Sequence, residues 1–395
     1  MTDGWTPTRL GEVVKIKHGF AFSGMAENPD SSLPVVVGIG NFDYAGGFRF
    51  NSTTVKRYVG EYPSEFVLKP GDVLLAMTCQ TAGGEILGIP GTVPDDGRTY
   101  LHNQRLGKVE VIDSTRIDLR YFFQLARWQP FNHHLFATAS GSKILHTSPG
   151  RIEDFTVDLP PLPEQRAIAA ALGVIDDKIE SDRRLIGLIP QLIRSRVEKY
   201  LAGGANEAPV SSLARFVNGG AYTKGATGFG RMVIRIAELN SGPGSSTVYN
   251  ELDVPEDRTA RAGDVLMSWS GSLGVYRWAR DEAIINQHIF KVIPTGYPAW
   301  LVHDRIDAVI DVFRGYAADK ATTMGHIRRG DLDTTTVQLP REGSLRELDA
   351  ALGPVWNRLL IAEQEVPRLE AVRDAILPEL LSGRIRVPEA QGLKA

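Results

Sequence analysis

The residues of this sequence best suited to chemistry are cations, amides and aromatics in loop-like stretches. In the first half these are Lys15, Lys17, Arg49, Lys56, Arg57, Gln80, Arg98 and Lys143. In the second half they are Tyr222, Lys224, Arg231, Arg235, Trp269, Arg277, Lys320, Arg328 and Arg329. Such side chains suit a nucleic acid: cations hold phosphates and set register, and base-edge contacts carry sequence information. Arg and Lys can bond guanine, while Gln and Asn can bond adenine. Tyr44, Tyr222 and Trp269 can pack on sugars or distorted bases. For any single one of these cations, a solvated surface charge is the commoner role.

Catalytic patterns are missing. Gly141-Ser142-Lys143 has the wrong order for a phosphate loop, and Gly38-Ile39-Gly40 lacks a third glycine in step. Trp269-Ser270-Gly271 lacks the preceding glycine of a nucleophile elbow. No Asn/Asp-Pro-Pro-Tyr/Phe tetrad of an amino-methyltransferase occurs. His133-His134 are neighbours in sequence, and neighbours rarely converge on one metal. The expectation is a binding protein with no catalytic residues and no metal site of its own.

The elements that must position the readers come in two copies. HTSPGRIEDFTVDLP from His146 is answered by HIRRGDLDTTTVQLP 180 residues later, from His326. Leu159-Pro160 and the Ala-Ala-Leu-Gly that follows recur at the same offset. GDVL at 71–74 recurs at 263–266, and Asn103-Gln104 recurs as Asn286-Gln287. The offset there drifts, so loops differ while a framework persists. A period this long duplicates a whole domain-plus-helix unit and excludes a solenoid. Residues shared by both copies, including His146 and His326, suit the framework or phosphate contact better than sequence reading.

Short apolar runs at 33–40, 65–77, 106–112, 232–239, 263–269 and 284–293 predict strands. Short helices are expected at 118–128 and 301–315. From Pro163, Ile168, Leu172, Ile175, Ile179, Ile186, Ile189 and Ile193 form a heptad seam in which Asp182 fills one position. A second seam runs from Leu345 to Leu380. Pro163 suits a first turn, and Ser344 with Glu347 makes a capping box. Pro190, Pro354 and Pro367 predict kinks or short breaks. The fold class is α+β: two tandem mixed domains separated by two long antiparallel coiled-coil-like helices with pseudo-two-fold character. The expected segments are 1–158, helix 159–205, 206–338, helix 339–386 and a tail at 387–395.

The LPPLPEQR run at 159–166, its heptad continuation, GDVLLAMT and GDVLMSWS, the Asn-Gln pairs and the ending ILPELLSGRIRV resemble type I restriction–modification specificity subunits. The opening TRLGEVVKIKHGFAF is similar to that family's usual start, and the likeness extends over nearly the whole chain. The resemblance implies two target recognition domains, each reading half of a split double-stranded DNA site, with the helices as a ruler. Half-sites on one duplex face lie about 34–36 Å apart. It implies two modification subunits bringing S-adenosylmethionine-dependent adenine methylation. Restriction subunits that use ATP and Mg2+ to translocate DNA would join them, in a system of phage defence. Pro161, Leu162, Pro163, Glu164, Gln165 and Arg166 become candidates for partner binding. The second copy departs from the pattern at Leu339-Pro340-Arg341-Glu342-Gly343, and Gly353-Pro354 is expected to interrupt its helix early.

Composition agrees. The chain has 395 residues, 43% of them hydrophobic, and a net charge of -3, so positive potential has to be local. Its single cysteine, Cys79, excludes an internal disulfide framework. No apolar stretch is long enough to span a membrane, and the N-terminus has no secretion-signal pattern. A cytoplasmic location is expected. A stand-alone methyltransferase system, a coiled-coil adaptor joining two proteins and an unrecognised nuclease are the alternative readings.

Overall fold

The computed structural model describes residues 4–24, 30–50, 55–319 and 325–387. They form two compact units. One comprises residues 1–177 with 371–395, the other residues 178–370.

In the first unit, Thr6–Arg9 pairs antiparallel with Thr156–Leu159. One four-stranded sheet then has the order Val14–His18, Leu106–Val111, Val73–Ala76, Pro90–Thr92. A second has the order Lys56–Arg57, Val35–Val37, Tyr100–His102, Val67–Leu68. Val35–Val37 and Tyr100–His102 run parallel, and all other strand pairs of the two sheets run antiparallel. Central strands such as Val73–Ala76 are buried along their whole length, which explains their unbroken apolar runs.

The second unit repeats this plan strand for strand. Ala205–Pro209 pairs with Thr336–Pro340. The sheets are Ala214–Asn218, Ile289–Pro294, Val265–Ser268, Gly274–Arg277 and Val248–Asn250, Arg231–Ile234, Ala283–Ile285, Thr259–Ala260. Again one pair, Arg231–Ile234 with Ala283–Ile285, is parallel. The recurring GDVL motif is framework in both copies. Gly71 and Gly263 adopt positive φ, at 86° and 98°. The aspartate beside each glycine accepts a backbone N–H three residues earlier. It also meets a strand lysine: Lys108–Asp72 at 3.0 Å and Lys291–Asp264 at 2.9 Å.

The 232–239 stretch differs from expectation. The strand stops at Ile234 and a short helix, Ile236–Ser241, follows, because Glu238 Oε2 accepts the Arg235 backbone N–H and starts a turn. Gln129–Ala137 follows Leu119–Leu125 closely in the first unit, and Ile310–Asp319 follows Ala299–Ala308 in the second, so the helix expected at 301–315 is two.

The long helices are α1, Leu162–Leu201, and α2, Glu342–Leu381. At 40 residues each they would be about 60 Å long. Neither breaks at Pro190, Pro354 or Pro367, and Gly353-Pro354 does not interrupt α2. A lost N–H is tolerated where the rest of the helix is held by packing: Leu352, Trp356 and Leu359 flank Pro354 and are buried. Ser344 lies inside the first turn of α2, its N–H donating to Arg341 O, so it is not the cap. Glu347 instead accepts the Tyr200 hydroxyl of α1.

Within the second unit, Lys178 lies 2.6 Å from Glu365, and Arg358 lies 2.6 Å from Asp182. Numbers fall along α2 as they rise along α1, so the helices pair antiparallel. Ile189, Ile193, Val197 and Leu201 of α1 share a core with Leu348, Leu352, Trp356 and Leu359 of α2. In the first unit, Ile168, Ala169 and Leu172 join Leu377, Leu380 and Leu381 beneath the sheets.

Candidate nucleic-acid interface

The expected readers divide into held and uncommitted groups. Lys15 pairs with Glu153 at 3.0 Å, Lys17 with Glu110 at 2.9 Å, and Arg49 with Asp43. Arg98 pairs with Asp96 and lies over the Phe50 and Tyr100 rings. Their hydrogen bond raises the Arg98 pKa and lowers that of Asp96. Arg57 donates to Leu33 O at 2.8 Å. Exposed ion pairs contribute about 0–1 kcal/mol, so a phosphate can replace the carboxylate at Lys17, whereas Lys15 is held to the buried Glu153. Lys56, Gln80 and Lys143 are exposed and carry no side-chain hydrogen bond or ion pair among the described residues.

In the second unit, Lys224 and the Arg328 side chain are likewise exposed and uncommitted. Arg231 pairs with Glu282 at 2.7 Å and Arg235 with Glu238 at 2.6 Å. Tyr222 accepts from Arg258, Trp269 donates to Asn218 Oδ1, and Arg329 donates to Phe216 O. Arg277 is a correction. Its side chain is only 2% exposed, 2.6 Å from Glu363 and 4.0 Å from the Trp356 ring centre. It locks the sheet to α2 and cannot reach DNA. Burial lowers its pKa and raises that of Glu363. Lys320 lies outside the described residues.

Lys56 and Gln80 line one cleft of about 480 Å3 in the first unit, together with Tyr44, Asn103 and Arg105. Arg105 was absent from the expected readers, yet it is exposed and uncommitted. The 103–105 segment is fixed from both sides. Gln104 N donates to Phe20 O, Met77 N to Arg105 O, and Arg105 N to Asn103 Oδ1. Gly19 lies so close to Asn103 O that no Cβ fits between them. Gly219 stands in the same relation to Asn286 O. The recurring asparagine is thus buried framework, and the residues after it point outward. His146, the other shared residue, meets Thr78 Oγ1 at 3.2 Å.

The expected partner face is mixed. Pro161, Pro163 and Arg166 are exposed, and Leu162 is half-buried. Gln165 is a correction: it is fully buried and holds Arg116 O, Pro160 O and the Asp118 N–H. Glu164 accepts from Trp5 Nε1 and Arg386.

Two copies of one α+β frame, each with outward polar side chains on its loops, define a duplicated architecture. Residues 2–191 match the family model described as the type I restriction modification DNA specificity domain. The chain thus carries, over about its first half, a domain of the type I restriction–modification specificity family. It is 30% identical over 186 residues to the type I restriction enzyme MjaVIII specificity subunit of Methanocaldococcus jannaschii, covering 46% of this chain and 42% of that one. It is 24% identical over 201 residues to the EcoBI specificity subunit of Escherichia coli, covering 51% and 38%. The matches thus span less than half the length of these relatives. The crystal structure of a type I restriction–modification S subunit from M. genitalium has the same fold, with a TM-score of 0.63 at 13% identity over 95% of this chain and 96% of that one. Among the described residues, no helix is long and apolar enough to cross a membrane.

Proposed function

We propose that this specificity subunit reads a double-stranded DNA site in two halves, one per unit, and presents that site to partner subunits. The observation that carries the reading is the duplicated frame with different outward side chains on equivalent positions. One fold held by the same glycines, asparagines and Asp–Lys pairs supports two different readouts. Lys56, Lys143, Lys224 and Arg328 supply uncommitted positive charge for phosphates, while Lys17 can exchange partners. The chemistry belongs to the partners: two modification subunits using S-adenosylmethionine, and restriction subunits using ATP and Mg2+. This chain contributes the choice of site and no catalytic group. The exposed Pro161, Pro163 and Arg166 offer a docking surface for a modification subunit. The proposed setting is the cytoplasm, where DNA and these partners meet.

The test is selection of duplexes from a randomised library by the full-length chain, followed by a salt titration on the winners. Two short defined blocks separated by an indifferent spacer are expected. Log affinity should fall linearly with log salt, with a slope of about -0.9 per phosphate contact. Replacing residues 1–150 with another member's domain should alter one block only. A single contiguous block, or affinity indifferent to salt, would sink the reading.

A further inference from the structure

We infer that Arg105 is the residue by which the first unit selects a guanine, and that His288 occupies the equivalent reading position in the second. The inference rests on the DNA reading proposed above and assigns its specificity.

The equivalence follows from strand register. Val36 pairs with Leu101 in the first unit, and Val233 with Ile284 in the second. Two residues beyond each lie the buried Asn103 and Asn286. Leu106 is paired with Ala76, and Ile289 with Ser268. Arg105 and His288 therefore occupy one position of one frame. Their carbonyls even accept equivalent bonds, from Met77 N at 3.0 Å and Trp269 N at 3.2 Å.

What surrounds the position is shared, and what projects from it is not. Gly19 and Gly219, Asn103 and Asn286, and Lys108 and Lys291 match. Gln104 and Gln287 also match and are exposed. An outward residue common to both units cannot distinguish the half-sites, so the glutamines suit a phosphate or another contact common to both. Arg105 and His288 do differ. The same comparison sets Lys56, opposite Val36, against Val248, opposite Val233.

Arg105 has the chemistry of a base reader. Its guanidinium is exposed and uncommitted, and its backbone is held at N–H and C=O. A fork of donors on a fixed backbone matches the O6 and N7 acceptors of guanine in the major groove. His288 is held differently. Its Nδ1 lies 2.9 Å from Ser270 Oγ, its Nε2 3.2 Å from Gln287 Nε2 and its ring 5.5 Å from Trp269, so both ring nitrogens already have partners. The second unit should therefore not favour guanine through this position.

The test uses the full-length chain and the randomised duplex library. The wild type is expected to enrich guanine at one position of one block. Arg105→Ala should relax that position by about ten- to hundredfold and leave the other block unchanged. His288→Arg should shift one position of the other block toward guanine. Lys143→Ala, outside the Arg105 cleft and proposed as a phosphate contact, should weaken all duplexes alike and reduce the salt slope. An Arg105→Ala variant that weakens every duplex equally, or a His288→Arg variant that changes no position, overturns the inference while leaving DNA reading intact. A wild type that enriches no sequence overturns both.

Discussion

Asp182 Oδ1 accepts a hydrogen bond from Arg358 Nη2 at 2.6 Å, and the Asp182 side chain has no solvent exposure. This carboxylate occupies a seam position of α1 where the heptad pattern calls for an apolar residue. Lys178 closes on its other oxygen and also reaches Glu365. Burial by itself raises the Asp182 pKa. The bonds from Lys178 and Arg358 outweigh it, so the group is held below its ordinary value.

The sign follows from that lowering. Stability from this ion cluster is present above the ordinary aspartate range, near 3.8, and is lost as pH falls through the still lower folded value. Asp182→Asn should cost about 1.5–3 kcal/mol at neutral pH, the worth of hydrogen bonds to a charged group. Lys178 and Arg358 are about two-fifths exposed and can rehydrate, which limits the loss. Denaturant unfolding at pH 7 and pH 3 checks this. The gap between variant and wild type should be smaller at pH 3 than at pH 7, since the loss begins below about 3.8.

Arg277 should behave as a structural residue. Arg277→Ala removes one partner of a buried pair and strands Glu363, at a cost of about 3–5 kcal/mol. Arg277→Lys should not restore it, because an ammonium cannot both fork to Glu363 and lie flat on Trp356. Thermal unfolding measures the loss. Any soluble Arg277 variant should keep the wild-type DNA preference, and a changed preference would contradict its placement.

The periodicities of the sequence made the frame legible: the 180-residue repeat gave the duplicated units, and the heptads gave both helices. The short breaks expected at Pro190, Pro354 and Pro367 do not occur, because tertiary packing over 40 residues outweighs one missing N–H. The readers were less legible. Arg277 resembles any loop arginine in sequence, and only the fold shows Trp356 beneath it. Gln165 lies in the family's signature run, which suggested a surface role, yet its carboxamide braces Asp118 and Arg116. Arg105 could have been found by comparing the two copies just after the recurring Asn-Gln. Its freedom from partners depends on which neighbours the sheets place nearby, and no local pattern encodes that.

Burial takes the His102 imidazole down to about 4, against the opposing pull of its bond to Leu106 O. The folded protein therefore keeps His102 neutral well below the pH at which the unfolded chain protonates it. Between about 6.5 and 4 the unfolded state binds more protons, so stability falls as pH drops through that window. One such histidine contributes at most about 1.4 kcal/mol per pH unit. The second unit carries Ile285 at the equivalent position, paired with Ile234 as His102 pairs with Val37. His102→Ile should flatten the dependence between pH 4 and 6.5, read from urea midpoints at pH 5 and pH 7. A midpoint difference equal to wild type would contradict a neutral buried His102.

Gly19 and Gly219 offer a way to perturb separately the two loops proposed to read DNA. A Cβ at Gly19 would press on Asn103 O and His102 O, and one at Gly219 on Asn286 O and Ile285 O. These are backbone atoms, so the loop itself has to move. Overpacking of this kind costs about 1–3 kcal/mol, and it displaces the backbone that carries Arg105 or His288. Gly19→Ala should therefore degrade selectivity in one DNA block, and Gly219→Ala in the other. Each variant should keep the non-selective, salt-dependent part of binding, because the cations proposed to contact phosphates, Lys143, Lys224 and Arg328, are untouched. Library selection with the two single variants reads this directly. Loss of both blocks in either variant would mean that the units do not read independently.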